Sequence, residues 1–195
     1  AVRLSGLIEK QLLALGMPNA RFHIVLAPLP APAGRGADSV EMLFSANAGE
    51  AERSLQKVAS GGELSRISLA IKTVEAAQDD SVSSMVFDEI DTGIGGRTAQ
   101  MVAERIAEVS IYKQVLCITH LPQIACMADV HLYLTKETQE GKTVTCVHRL
   151  DEGNRINEIA RMASGIDVTA ASLDNAREMV DNARIKKAAL YKGKA

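Results

Sequence analysis

Tryptophan is absent from this 195-residue chain, and aromatic residues make up only 3% of it. So few aromatic side chains argue against a surface that stacks nucleic-acid bases. The formal net charge is −2, so the chain as a whole has no electrostatic attraction for a polyanion. We therefore expect that this chain does not itself read DNA bases.

Long apolar runs and a secretion signal are also missing. No stretch of about 18 uncharged apolar residues occurs, which predicts that no helix spans a membrane. The first residues lack both an initiating Met and the layout of a signal peptide, so we expect a piece of a longer cytoplasmic protein. The cysteines are odd in number and fit no metal-binding spacing, which predicts reduced thiols at Cys117, Cys126 and Cys146.

Apolar periodicity predicts an α/β protein with two parts. Apolar residues at helical spacing end before Gly16, so residues 1–18 are predicted to be a helical stub, either the end of a coiled coil or an ordinary packing helix. Residues 19–195 are predicted to form one lobe, in which a mainly parallel sheet is flanked by helices. An antiparallel strand pair is predicted near its N-terminus, with the proline-rich stretch 28–36 as a loop. The predicted strands are 21–27, 40–46, 85–87, 115–119, 130–135 and 143–150, and the predicted helices are 63–77, 97–109, 157–163 and 168–190.

The strongest chemical signal is the carboxylate pair Asp88-Glu89, which directly follows the apolar strand Met85–Phe87. Ligands of open α/β sheets bind outside the carboxyl ends of the strands. One carboxylate there can hold Mg²⁺, and the other can act as general base toward a water molecule. This is the Walker B pattern of nucleotide hydrolases, although an acidic pair after a strand also begins many ordinary helices.

Three further segments carry candidate residues. Ser60-Gly61-Gly62-Glu63 precedes a helix and predicts either an anion site at free N–H groups or a simple capping box. His120 follows the next apolar strand, where an imidazole can contact a phosphate or orient a water. Asp91, at the start of the glycine-rich stretch 91–96, predicts either a turn or a loop that reaches a partner subunit.

A phosphate-gripping loop is missing. Gly141-Lys142-Thr143 resembles the end of a Walker A motif, but Lys136 stands where that motif requires its first glycine, and a strand is predicted to follow. We interpret it as a hairpin turn. The residues that would hold the β- and γ-phosphates are then expected from another polypeptide segment.

In this order, the glycine motif, the Asp88-Glu89 pair, Asp91 and His120 resemble the signature, Walker B, D-loop and H-loop of ABC-type ATPases. The missing Walker A motif and Glu63 are similar to the SMC-like branch, whose head is split by a long coiled coil. Within that branch the amino-acid sequence of residues 57–163 resembles that of a bacterial DNA repair ATPase. The segments that carry this resemblance are 57–66, 87–96 and 119–123.

The resemblance implies a role for each residue. Asp88 would help to hold Mg²⁺, Glu89 would polarise the attacking water, and His120 would contact the γ-phosphate of ATP. Residues of the signature and D-loop would act on nucleotide bound to the opposite head: Ser60, Gly61, Gly62, Glu63 and Asp91.

The implied function is ATP hydrolysis at a composite dimer interface in DNA double-strand break repair and recombination. The implied partners are the N-terminal half of the same head with its Walker A and Q-loop, a second head in an ATP-bridged homodimer, and DNA through the full-length protein, in the cytoplasm at the nucleoid. No membrane partner is expected. Two alternatives stay open, a non-enzymatic lobe that presents the signature to a partner and a fragment of a transporter ATPase. The chain alone is expected to be inactive.

Overall fold

A computed structural model describes residues 1–34, 36–58, 61–76, 83–88, 90–139 and 142–192. The chain divides into two compact units, Ala1–Ile118 and Thr119–Ala195. The first unit contains helices α1 (Val2–Ala14), α2 (Gly61–Ala76) and α3 (Gly96–Val109), and strands β1 (Arg21–Ala33), β2 (Gly36–Ser45), β3 (Arg53–Ser54), β4 (Ser84–Phe87) and β5 (Gln114–Cys117). A short 3-10 turn, Leu55–Lys57, follows β3.

The second unit begins with the short helix α4 (Pro122–Ala125) and continues with β6 (Leu132–Gln139), β7 (Lys142–Arg149), α5 (Glu152–Ser164) and α6 (Ala170–Lys192). Strands β6 and β7 pair antiparallel from Leu132–Arg149 to Gln139–Lys142. Asp151 caps α5 by accepting a hydrogen bond of 2.8 Å from the Asn154 amide. The Lys187 ammonium on α6 donates to the Met127 carbonyl oxygen at 3.1 Å and to the Asp129 carboxylate.

The core of the first unit forms where α2 packs against both α1 and α3. The apolar residues of these helices recur at helical spacing, so each helix buries one stripe. Gly16, at a φ of +79°, ends the first helical segment, as its position in the sequence predicts. The fully buried side chains of this core include Ile8, Leu12, Leu15, Ile67, Leu69, Val102 and Val109.

The predicted antiparallel pair near the N-terminus is confirmed, because β1 and β2 pair from Arg21–Ser45 to Pro28–Asp38. The prediction of a loop over residues 28–36 is wrong. Strand β1 continues to Ala33, which pairs with Gly36 after a register shift. The prolines are tolerated because β1 is an edge strand in the order β1-β2-β3. An edge strand has a neighbour on one side only, so a residue without an N–H group can stand there without breaking the hydrogen-bond ladder.

Strands β4 and β5 form a parallel pair, from Ser84–Gln114 to Phe87–Cys117. A short apolar run in a parallel strand is typical of burial on both faces. Met85 and Phe87 are buried, whereas Val86 between them is 67% exposed. The pair therefore buries one face only.

The chain has a mixed α/β fold, as predicted. In the part of the chain that the structure describes, β4 and β5 are the parallel strands, and the remaining pairs are antiparallel. Helix α1 belongs to the first compact unit, and the division into 1–18 and 19–195 stays a prediction. Among the described residues, no helix is both long enough and apolar enough to cross a membrane.

Candidate functional site

Two predicted motifs meet in the first unit, at the start of α2. Gly62 lies against the loop that follows β4, so closely that a Cβ on it would come within 2.3 Å of the Thr92 carbonyl oxygen. Only glycine fits such an approach of helix to backbone. The glycine motif and the stretch that begins at Asp91 are therefore in direct contact.

The loop after β4 is anchored by its first residues. Ile90 is 1% exposed and Asp91 is 3% exposed, so both side chains are buried in the first unit. The Ile94 amide donates a hydrogen bond of 3.3 Å to the Asp91 carbonyl oxygen, and Gly93 adopts a φ of +71° between them. This tight turn fixes the loop backbone that faces Gly62.

Asp88 directly follows β4 and is exposed. It lines a cleft of about 250 Å³ together with residues of α2 and of the β4 region: Leu64, Ser65, Ser68, Val86, Phe87 and Ile90. A carboxylate and two hydroxyl-bearing residues offer the oxygen ligands that Mg²⁺ prefers. These residues fit a magnesium ion, and the role of Asp88 as its ligand stays a prediction.

Cys117, at the end of β5, lies near the acidic side chains of this sheet edge. Burial, with the negative charges of Asp91 and Asp88 as further causes, raises the pKa of the Cys117 thiol to about 12. Burial disfavours any charged group, but the negative charges of Asp91 and Asp88 favour a nearby cation. This edge is therefore suited to a metal ion, and a triphosphate needs positive charge from elsewhere to bind there.

Two side chains of α2 were not singled out from the sequence. Ser68 lies one helical turn after Ser65, and that i, i+3 spacing is the signal that places both on the cleft. Burial lowers the pKa of the Arg66 guanidinium, while the nearby charge of Glu63 raises it. Arg66 also lies close to Gly62, because its Nη1 atom would be 3.8 Å from a Cβ added to Gly62.

The other predicted site residues have different outcomes. Ser60 and Glu89 lie outside the described residues. Gly61 begins α2, two residues before the predicted start of the helix, and nothing lies within 4 Å of a Cβ added to it. His120 is exposed and belongs to the second compact unit, so its approach to the nucleotide stays a prediction.

Comparisons with known sequences give clear relatives. The chain is 52% identical over 149 residues to the DNA repair protein RecN of Bacillus subtilis (strain 168), covering 76% of this chain and 26% of that protein. It is 43% identical over 185 residues to RecN of Halalkalibacterium halodurans, covering 93% of this chain and 33% of that protein. The chain thus spans about a third or less of the length of these relatives. No protein-family model matches it.

Comparisons with solved structures give SMC heads. The Smc head domain with a coiled coil and joint from Pyrococcus yayanosii matches with a TM-score of 0.62 at 20% identity, over 83% of this chain and 29% of that one. A chain from a study of ATP-driven dimerization and DNA stimulated activation of SMC ATPases matches with a TM-score of 0.55 at 20% identity. That match covers 84% of this chain and 93% of the other. At this identity the likeness shows the fold alone.

Proposed function

Because the chain is a homologue of part of the bacterial DNA repair protein RecN, we propose that it is the C-terminal part of an SMC-like ATPase head. In this proposal the complete head hydrolyses ATP at a composite dimer interface during DNA double-strand break repair and recombination. The observation that carries the proposal is the contact between Gly62 and the Thr92 carbonyl oxygen. It couples the segment that would face nucleotide on another head to the loop that follows the predicted catalytic carboxylates.

The cofactors of the proposal are ATP and Mg²⁺. Asp88 helps to hold the metal, which supplies positive charge to the phosphates. Glu89 orients and polarises the attacking water, and His120 contacts the γ-phosphate. The carboxylates of Asp91 and Asp88 near Cys117 support this assignment, because two negative charges at that edge favour a cation.

A second head completes the site. The first backbone N–H groups of an α-helix have no partner within the helix, which favours a phosphate at the N-terminus of α2. With Ser60 and Glu63, Gly61 and Gly62 would therefore cap the γ-phosphate of ATP bound to the opposite head, and Asp91 would transmit its presence across the dimer.

The N-terminal half of the same head is the other proposed partner, with its Walker A and Q-loop. The uncovered face of the β4–β5 pair supports it, since Val86, Leu116 and Ile118 are 67%, 47% and 55% exposed. Parallel strands are normally covered on both faces, so this apolar face suits a neighbouring layer of protein. DNA is contacted through the full-length protein, located in the cytoplasm at the nucleoid.

The test is ATP turnover by the chain alone and mixed with the N-terminal half of its head, with and without linear DNA. We expect turnover only in the mixture, stimulation by DNA, and loss in Glu89→Gln. Glu75→Gln is the matched control, because it removes the same charge from an exposed pair with Lys72 in α2. Turnover by the pure chain that Glu89→Gln abolishes would contradict the split site. A mixture that binds ATP without hydrolysing it would favour a non-enzymatic, signature-presenting lobe.

A further inference from the structure

A mixed cluster of metal-ligating side chains lies on the β6–β7 hairpin, in the second compact unit. The ligand atoms of Glu137, Cys146 and His148 all lie within 4.8 Å of one another. The strand register explains their proximity, because Thr135 pairs with Cys146 and Tyr133 pairs with His148. Residues two apart on a strand share one face, so the side chains from both strands stand on the same side of the hairpin.

The distances suit a tetrahedral ion. The His148 Nε2 and Glu137 Oε1 atoms are 3.2 Å apart. Nitrogen and oxygen ligands placed about 2.0–2.1 Å from zinc at tetrahedral angles are separated by roughly 3.4 Å. These two atoms therefore need to move by only a few tenths of an ångström to share one ion.

A neighbouring hydroxyl holds the Glu137 carboxylate in place. Thr135 Oγ1 donates a hydrogen bond of 3.1 Å to Glu137 Oε1 and lies 3.4 Å from His148 Nε2. Outer hydrogen bonds of this kind fix the orientation of metal ligands and are part of most metal sites. Thr135 stands directly opposite Cys146, at the centre of the cluster.

An exposed ion pair between His148 and Glu137 would be the plain alternative. Their side chains are 52% and 43% exposed, and such pairs contribute little to stability. That alternative does not account for the Cys146 thiol, whose Sγ atom lies within 4.8 Å of the ligand atoms of both Glu137 and His148. A thiol and an imidazole together select zinc and its neighbours over Mg²⁺ or Ca²⁺.

We propose that Glu137, Cys146 and His148 form a Zn²⁺ site in which a water molecule is the fourth ligand. The bound ion links β6 to β7 and fixes the register of the hairpin. The site is separate from the proposed ATPase chemistry and needs neither ATP nor a second head.

The test is titration of the full 195-residue chain with Zn²⁺ and with Co²⁺, followed by calorimetry and by absorption spectroscopy. We expect one ion per chain and a sulfur-to-cobalt charge-transfer band that Zn²⁺ removes by competition. Cys146→Ser should abolish the band, and His148→Gln should weaken affinity at least ~100-fold, since even outer-shell changes cost 10–100-fold.

The matched control is Cys117→Ser, which removes a thiol beside the carboxylates of the first unit and should leave the titration unchanged. Circular dichroism checks that each variant is folded, and Glu137→Gln provides a second ligand variant if Cys146→Ser unfolds. Absence of saturable binding, a band that survives Cys146→Ser, or equal affinity in His148→Gln and the unmodified chain would each overturn the site.

Discussion

The contact between α2 and the loop after β4 makes Gly62→Ala the most informative substitution. A Cβ at Gly62 would lie 2.3 Å from the Thr92 carbonyl oxygen, where real Cβ contacts essentially never fall below 3.0 Å. The helix start or the loop must therefore move by at least about 0.7 Å. The groups that meet here both belong to the backbone, so the contact cannot be relieved by the movement of a flexible side chain.

The expected cost follows from two opposing effects. Forcing an extra methyl group into a packed contact costs typically ~1–3 kcal/mol. Alanine is favoured over glycine inside a helix by about 0.5–1 kcal/mol, which offsets part of that cost. We expect Gly62→Ala to lower the free energy of unfolding by about 1–2 kcal/mol. For a chain of this size the midpoint of thermal unfolding then falls by ~2–8 °C.

Gly61→Ala is the matched control for this experiment. It lies in the same helical turn, yet nothing lies within 4 Å of an added Cβ. Its unfolding free energy should stay the same or rise by up to ~1 kcal/mol. Thermal and urea unfolding of both variants and the unmodified chain measure the difference. Equal stabilities for the two variants, or a stabilised Gly62→Ala, would refute the contact.

Three further expectations concern the rest of the chain. Asp129→Ala removes the carboxylate partner of the buried Lys187 ammonium, and urea unfolding should show a loss of about 1–2 kcal/mol, less than for a fully buried pair because Asp129 is 69% exposed. Asp151→Ala removes the N-cap of α5 and should cost ~1 kcal/mol in the same assay. Burial raises the thiol pKa to about 12 at Cys117 and to about 11 at Cys126. Both thiols are therefore protonated at pH 8, and iodoacetamide should modify Cys117 roughly 30–60-fold more slowly than a thiol of pKa 9, because the higher nucleophilicity of its thiolate offsets part of the smaller thiolate fraction. Mass spectrometry of both peptides checks this, and rapid alkylation of either would contradict it.

The longer helices and most strands could be predicted from the sequence because they follow an apolar period, whereas the four-residue helix α4 was not predicted. Helix α3 is an example, observed as Gly96–Val109 where residues 97–109 were predicted. The region 28–36 could not be predicted this way, because prolines indicate a loop unless the strand lies at a sheet edge. Edge position depends on which strands pair, and local sequence carries no information on that.

The metal-ligating cluster shows the same limit. The spacing of the three cysteines along the chain fits no known metal site, but that spacing carries no information about ligands of other kinds. The cluster takes its ligands from two strands, with one thiol, one imidazole and one carboxylate. Only the register of β6 against β7 places them together, and a shift of one residue would turn Glu137 to the face opposite Cys146 and His148.

The two glycines at the N-terminus of α2 show why a candidate site can be predicted from the sequence, whereas the contact of that site with another segment cannot. Gly61 and Gly62 are chemically identical in the sequence, and either could serve a cap, a phosphate or a close backbone approach. The structure distinguishes them, because only Gly62 touches the Thr92 carbonyl while Gly61 has open space around it. A shift of the α2 backbone at Gly62 would therefore act directly on the loop after Asp91, whereas Gly61 has open space beside it. This difference between neighbouring glycines depends on tertiary packing, and it makes Gly62 a position at which the start of α2 is in contact with the loop after β4.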